Sequence, residues 1–497
     1  MEAYTSFPRS VSEERLAAER AKAMGSSVLI PPMADLPTSS EIMESFQPQG
    51  APDMSVWSGF FKRPLEARQQ ALEEAFPRVS DSRATLSSGG LTLGRADLMI
   101  ENCIGTCGLP IGVAPSVLLN GRHYVVPMCV EEPSVIAAAS STTKLIASCG
   151  GFFGCSTENI MIGQIQVLDL GDLGQVKAAK EKLEMFKDRL ISEGNRFCPS
   201  MAQRGGGIQD IVGRFVENRH GKDVWLVVHV EVDVCEAMGA NVVNTVCEGL
   251  APSIQSLIGG RIGLRILSNL CTERRTKVCF KMPIDKLQWK GTCGELVSKK
   301  VLEAYHFADS DHFRATTNNK GIMNGIDAVA IATGQDWRAI EAGAHSFACI
   351  TGRYRSLSRY WVEGDYFFGE MELPISVGTK GGAVTSHPLY KLSLEMLGNP
   401  DCQTLSQIMV AIGLAQNFAA IRALAIEGIQ KGHMSLHARN IAVAADVPEH
   451  LVSAVVAKMC ASHQVFLVYS LWTHLSLDFY RFCQSIPTRM SPRYSVK

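Results

Sequence analysis

The chain has 497 residues, with 48 Lys plus Arg against 49 Asp plus Glu and a formal net charge of -1, so its overall charge lacks the electrostatic footprint of a nucleic-acid binder. Apolar residues at 46%, charged residues at 20% and 43 glycines exclude a disordered or solenoid chain and describe a compact protein. Its size corresponds to about three domains, and its composition points to an enzyme without naming one. The 15 cysteines are scattered singly without CxxC pairs, which favours a reducing compartment, with the cytosol as the expectation, over a zinc or redox site.

In chain order, Glu2, Glu13 and Glu14 stand where a secretory or mitochondrial leader disfavours acids, so no export signal is expected. Residues 1 to about 60, including PPMADLPTSS, read as a mobile arm with a short helix through Glu13 to Met24. RPLEARQQALEEAF, Arg63 to Phe76, has helical spacing. ENCIGTCGLPIGVAPSVLLNG then leads into HYVVPMCVEEPSVIAAAS, where a β-like run stops at Pro127 and a helix begins near Pro133. Between Gly163 and Arg265, QIQVLDL, VKAAKEKLEMFKDRL, VWLVVHVEVDV and EAMGANVVNTVCEGL alternate strand, helix, strand, helix, the texture of a small α/β unit. TKVCFKM is a further sheet-forming run, and beyond Gly291 the patterns are mainly helical. VFLVYSLWTHLSL, Val465 to Leu477, is shorter than the roughly 20 residues of a membrane span and reads as a buried terminal helix or strand.

Several residues suit chemistry. Glu131 and Glu132 precede a helix start; in an extended run they face opposite sides, so only one points inward, where desolvation favours the proton-donating form. The alternative is a pair of acids that merely complement the helix dipole. Arg314, Lys320, Asn324, Asp327 and Asp336 fall in one polar, glycine-punctuated stretch. Lys320, read as part of a turn before an apolar helix, suits stabilisation of an oxyanion, with Asp336 fixing it; a salt-bridged turn is the structural alternative. His433 and His437 lie four apart but lack the Glu of HExxH, so acid catalysis by a histidine near neutrality fits better than metal binding, and no metal is expected. Neither RGGGIQD nor SVGTKGGAVTSHP matches a Rossmann or P-loop pattern, whereas Gly239 in EAMGAN lets backbone approach a phosphate at a helix start.

ENCIGTCGLPIGVA, VPMCVEEPSVIAAAS, EAMGANVVNT, LRILSNL, NKGIMNGIDAVAIATGQDWRAIEAGAH, LPISVGTKGGAVTSHP and GLAQNFAAIRALAIEGIQKGHMSLHARN together resemble the soluble, bacterial and archaeal class (class II) of the 3-hydroxy-3-methylglutaryl-coenzyme A (HMG-CoA) reductase family, over about Leu91 to Ala445. The resemblance implies an α+β fold: a helix-rich large catalytic domain, an inserted small non-Rossmann α/β cofactor-binding domain and a C-terminal helical flap. The expected parts are an arm over 1–60, the large domain over 61–156 and 273–430, the cofactor domain over 157–272, and a flap with a divergent tail over 431–497.

It also implies reduction of HMG-CoA to mevalonate and free CoA by two successive hydride transfers from NADPH or NADH through mevaldehyde. The alternatives are operation in reverse as a mevalonate-oxidising catabolic enzyme, or a noncatalytic CoA-binding protein. By the same resemblance Glu132, Lys320, Asp336 and His433 are catalytic; Ser134, Arg314, Asn324 and Gln416 bind substrate; and Glu236, Met238, Gly239, Asn241 and Arg196 bind the cofactor. The family motif usually begins with Asp where this chain has Glu236. NAD-preferring members carry an acid shortly before the GGG segment; GNRFCPSMAQRGGG lacks it and offers Arg196 and Arg204, which implies NADPH preference. A homodimer or higher oligomer, with sites drawn from both subunits, no membrane span and no nucleic-acid partner complete the expectation.

Overall fold

The computed structural model describes residues 33, 35–46, 55–76, 82–221, 223–428, 438–439, 441–445 and 447–462. Two sheets organise them. β1 (Ile111–Leu119), β2 (Arg122–Cys129), β3 (Phe152–Ser156), β8 (Arg275–Pro283), β9 (Ser358–Glu363) and β10 (Tyr366–Pro374) form a large sheet in the order β2-β1-β3-β8-β10-β9. Its pairs are antiparallel apart from β1 with β3. β2 continues through Pro127 to Cys129 instead of stopping at the proline; it is the edge strand of the sheet, where a residue without a backbone N–H is tolerated.

β4 (Ile160–Leu168), β5 (Gly207–Glu217), β6 (Val224–Asp233) and β7 (Arg261–Ser268) make a separate antiparallel sheet ordered β5-β6-β4-β7. This unit enters the chain between β3 and β8, which are themselves neighbours: Ser156 pairs with Thr276 at the point where the chain leaves and returns. Met161, Ile165, Val228, Val230 and Val232 face a core shared with α2 (Leu173–Met185) and α3 (Ala240–Ile258). The single helix read from VKAAKEKLEMFKDRL is broken at Phe186, and a second helix runs Lys187–Gly194.

The large sheet is covered by α1 (Val135–Ala147), α4 (Gly294–Ser310), α5 (His312–Ala332), α6 (Trp337–Ala348) and α7 (Cys402–Ile426). α7 is apolar around its circumference because it runs through the core; among the described residues it alone is long and apolar enough to cross a membrane, and 72% of its most apolar window is buried. Phe418 on α7 packs against Phe280, Phe367 and Tyr360, with ring centroids 5.4, 5.5 and 5.9 Å away. β9 and β10 interrupt the region expected to be mainly helical. Part of the expected mobile arm is docked: helix Ser39–Ser45 buries Ile42, and Ser39 Oγ donates to Glu370 on β10 at 2.6 Å.

Candidate active site

Lys320 stands in the middle of α5 rather than in a turn. Asp311 begins the helix by accepting the Arg314 amide at 2.7 Å. Gly325, which the sequence offers as punctuation, is a packing residue: a Cβ there would stand 3.0 Å from Gln416 Cβ and 3.1 Å from the Ile412 carbonyl on α7. A buried amide network fixes the turn just before the lysine. Asn417 Nδ2 donates to Asn318 Oδ1 at 2.8 Å, Asn318 Nδ2 to Ser356 Oγ at 2.9 Å and Asn319 Nδ2 to the Arg355 carbonyl at 2.9 Å. Asn417 Oδ1 accepts from both Ser358 Oγ and Tyr360 Oη at 2.7 Å. Such satisfied internal networks rigidify what they hold.

From this helix Lys320 Nζ reaches Glu132 Oε2, 3.0 Å away in the turn between β2 and α1. The two side chains are 61% and 42% exposed, so the ion pair contributes on the order of 0–1 kcal/mol and does not account for the placement of either residue. Glu131 and Glu132 are both exposed within one chain, unlike the expected inward and outward pair, because the segment bends there instead of continuing as a strand.

The residues assigned to substrate retain unused polar atoms. Ser134 Oγ and Gln416 Oε1 are buried without a hydrogen-bond partner, each a group that a polar ligand would satisfy. Ser134 takes a left-handed φ of 78°, a strained state for a non-glycine residue. Asn324 follows Lys320 by one turn of α5 and shares its face. Arg314 is half-buried, and desolvation lowers its pKa.

Asp336 is elsewhere. It caps α6, accepting the Ala339 amide at 3.1 Å, beyond the end of α5. Lys320 precedes that end, Ala332, by twelve residues, about 18 Å of axial rise. One chain therefore brings Lys320 and Glu132 together but leaves Asp336 apart. Asp327 on α5, whose Oδ1 is buried without a hydrogen-bond partner, has Glu341 of α6 as an acidic neighbour; burial, followed by the influence of Glu341, pushes Asp327 up to about 8. His433 lies outside the described residues, as does His437.

At the cofactor motif, Gly239 opens α3 at a φ of 101° without a side-chain cap, leaving the first-turn amides free of an intrachain side-chain acceptor. A Cβ at Gly239 would strike Val234 at 2.6 Å, so the motif needs glycine for space as well as conformation. Asn241 is exposed in the first turn. This arrangement fits a dinucleotide phosphate.

Glu236 of the motif is held by the large domain. Its Oε2 accepts from Thr379 Oγ1 at 2.6 Å and from the Cys402 amide at 3.0 Å, so the carboxylate is turned into the large domain. Arg196 is exposed beside Phe197, whose ring packs where a Gly249 side chain would be; Gly249 lies ten residues along α3 from Gly239, about 15 Å. Burial, followed by the charge of Asp233, raises the pKa of Cys235 next to the motif, and Arg204 acts on it weakly in the opposite direction. Sequence reasoning missed Arg274, Gln335, Gly378 and Thr379, which surround the motif from the large-domain side. Only the GTKGG glycines hinted at them.

The Hydroxymethylglutaryl-coenzyme A reductase family profile matches residues 64–438, most of the chain. The chain belongs to this family. It is 46% identical over 417 residues to the 3-hydroxy-3-methylglutaryl-coenzyme A reductase of Archaeoglobus fulgidus, covering 83% of this chain and 92% of that one. With the probable reductase of Borreliella burgdorferi it shares 35% identity over 345 residues, 69% of this chain and 77% of that one. The class II enzyme of Streptococcus pneumoniae, solved bound to NADPH in open conformations, superposes with a TM-score of 0.70 at 41% identity, covering 74% of this chain and 99% of that one. The protein is an NAD(P)H-dependent oxidoreductase that converts HMG-CoA to mevalonate and CoA, and its helix-rich body with mixed open sheets and C-terminal helices is the class II architecture.

Proposed function

We propose that Lys320, Glu132, Asp336 and His433 form the catalytic set, and that two subunits complete each site. The Lys320–Glu132 pair at 3.0 Å carries the reading, because it joins two of the four residues from distant parts of the chain at an exposed surface. NADPH or NADH, when bound, supplies the hydride. Lys320 stabilises the oxyanion formed at the thioester carbonyl. His433 protonates the departing CoA thiolate and prevents its return to the aldehyde, and Glu132 then gives a proton to the alkoxide formed from mevaldehyde. Arg314 suits the free carboxylate of the substrate, with Ser134, Asn324 and Gln416 taking its remaining polar atoms.

The separation of Asp336 from Lys320 within one chain favours delivery of Asp336 by a second copy. Phe313, Trp337, Leu98 and Ile104 are exposed apolar side chains, two of them next to assigned site residues, and burying them suits a homodimer. NADPH is favoured over NADH because GNRFCPSMAQRGGG lacks the acid that bonds the ribose hydroxyls in NAD-preferring members and offers Arg196 and Arg204. Placement in the cytoplasm accords with the free thiols among the described cysteines. Assay of the purified protein in both directions with both cofactors tests these assignments, with Lys320→Ala as the control. Product formation at the wild-type rate in that variant removes the oxyanion role, and a clear NADH preference removes the NADPH assignment.

A further inference from the structure

Arg274 is 3% exposed, yet no carboxylate among the described residues is hydrogen-bonded to its guanidinium. It donates instead to three backbone carbonyls: Met238 at 3.1 Å and Ala237 at 3.3 Å in the cofactor motif, and Val377 at 2.6 Å in the large-domain segment ahead of GTKGG. The carbonyl of Glu236 is also taken, by the amides of Thr379 at 3.0 Å and Lys380 at 3.1 Å. Three successive carbonyls, from Glu236 to Met238, are thus held by the large domain. A trans peptide is planar with its C=O and N–H pointing in opposite directions, so capture of the Met238 carbonyl turns the Gly239 amide away from Arg274.

Gly378 closes the other side. A Cβ on it would stand 2.5 Å from the Met238 nitrogen, and its own N–H and C=O bond Gln335 at 2.8 and 3.0 Å. Gln335 directly precedes Asp336. The loop that opens α3 is therefore clamped between Arg274, Gly378 and the Glu236 carboxylate, and the clamp runs on to the turn bearing Asp336.

We propose that Arg274 is a positioning residue for the cofactor: it sets the direction of the Gly239 amide and the first turn of α3, and together with Glu236 it ties that loop to the large domain. Its hydrogen bonds among the described residues go to carbonyls alone, while the charges of Asp233 and Glu236 act on it and offset part of its own, so its role is positional. A lysine is no substitute, because three carbonyls in different directions require the planar fork of a guanidinium.

The inference rests on the cofactor phosphates lying at α3, so the test includes a probe of that reading. Arg274→Met and Arg274→Lys are assayed for kcat and for the KM of NADPH and of HMG-CoA separately, with circular dichroism to establish folding. The expected result is a rise of about tenfold or more in the KM of NADPH, as loss of charge-assisted buried hydrogen bonds implies, with the KM of HMG-CoA within about twofold of wild type. Should Arg274→Met fail to fold, Glu236→Ala gives the same split from the other end of the loop, and Glu236→Gln, which keeps the acceptor oxygen, recovers most of the loss. An unchanged KM for NADPH in the folded variants, or equal rises in both KM values, overturns the proposal. Asn241→Asp places a negative charge in the first turn of α3. If it leaves NADPH untouched, the location of the cofactor is wrong and the proposal falls with it; if it weakens NADPH while the Arg274 variants do not, the clamp alone is refuted.

Discussion

Ser134 joins a strained backbone to an unpartnered hydroxyl, so stability and binding make opposite demands on one residue. Glycine accepts a φ of 78° without the penalty of a Cβ, whereas alanine keeps the strain and loses the hydroxyl. Ser134→Gly is therefore expected to melt above Ser134→Ala and no lower than wild type by calorimetry, while both raise the KM of HMG-CoA by about tenfold through the lost hydrogen bond. Equal melting temperatures for the two variants refute the strain. At Lys320 the expectation differs, because an exposed ion pair contributes little to the fold. Lys320→Ala should retain the wild-type melting temperature within a degree or two yet lose about 100-fold or more in kcat, measured by NADPH oxidation. Residue identities at this level were legible in the sequence wherever a motif carried them. Arg274 was not, since a buried arginine serving carbonyls has no local signature and its partners are remote in the chain.

Between α5 and α6, the acidic neighbours Asp327 and Glu341 make one helix pair sensitive to pH. Native Asp327 keeps its proton up to about pH 8, whereas an unfolded aspartate releases it near its ordinary value of 3.8. Through that window the native state binds more protons than the unfolded state, so this group's contribution to stability falls as pH rises. Asp327→Asn removes the dependence and should raise the melting temperature more at pH 8 than at pH 5; an effect of equal size at both values would contradict the assignment. At the scale of elements the sequence was uneven. The small sheet and its helices were legible from alternating periods, yet β9 and β10 were absorbed into a helical region despite the turn residue Gly364, at a φ of 56°, between two aromatic-rich runs. The local sequence around Lys320 favours a turn, because Asn318, Asn319 and Gly321 are poor helix formers. Tertiary bonds from Ser356, Arg355 and Asn417 override that local preference.

For the whole molecule, the distance between Lys320 and Asp336 in one chain makes subunit mixing informative. In the proposed homodimer, the Lys320→Ala and Asp336→Ala proteins should each be nearly inactive alone. Random reassortment gives mixed dimers in about half the population, each with one intact site, so the mixture should recover about a quarter of wild-type activity. No recovery after verified subunit exchange would place both residues in one subunit's site. The pairing of Ser156 with Thr276 also governs how the chain reaches its native state. β3 and β8 become neighbours only after everything between them has been synthesised, and an extended intervening chain would impose a large loop-closure entropy on that pairing. A collapsed insert holds its two ends close together and removes most of that cost. Maturation of the large sheet thus waits on prior collapse of the inserted unit, and pulse-labelled hydrogen exchange during refolding should protect β4 and β6 before β3 and β8.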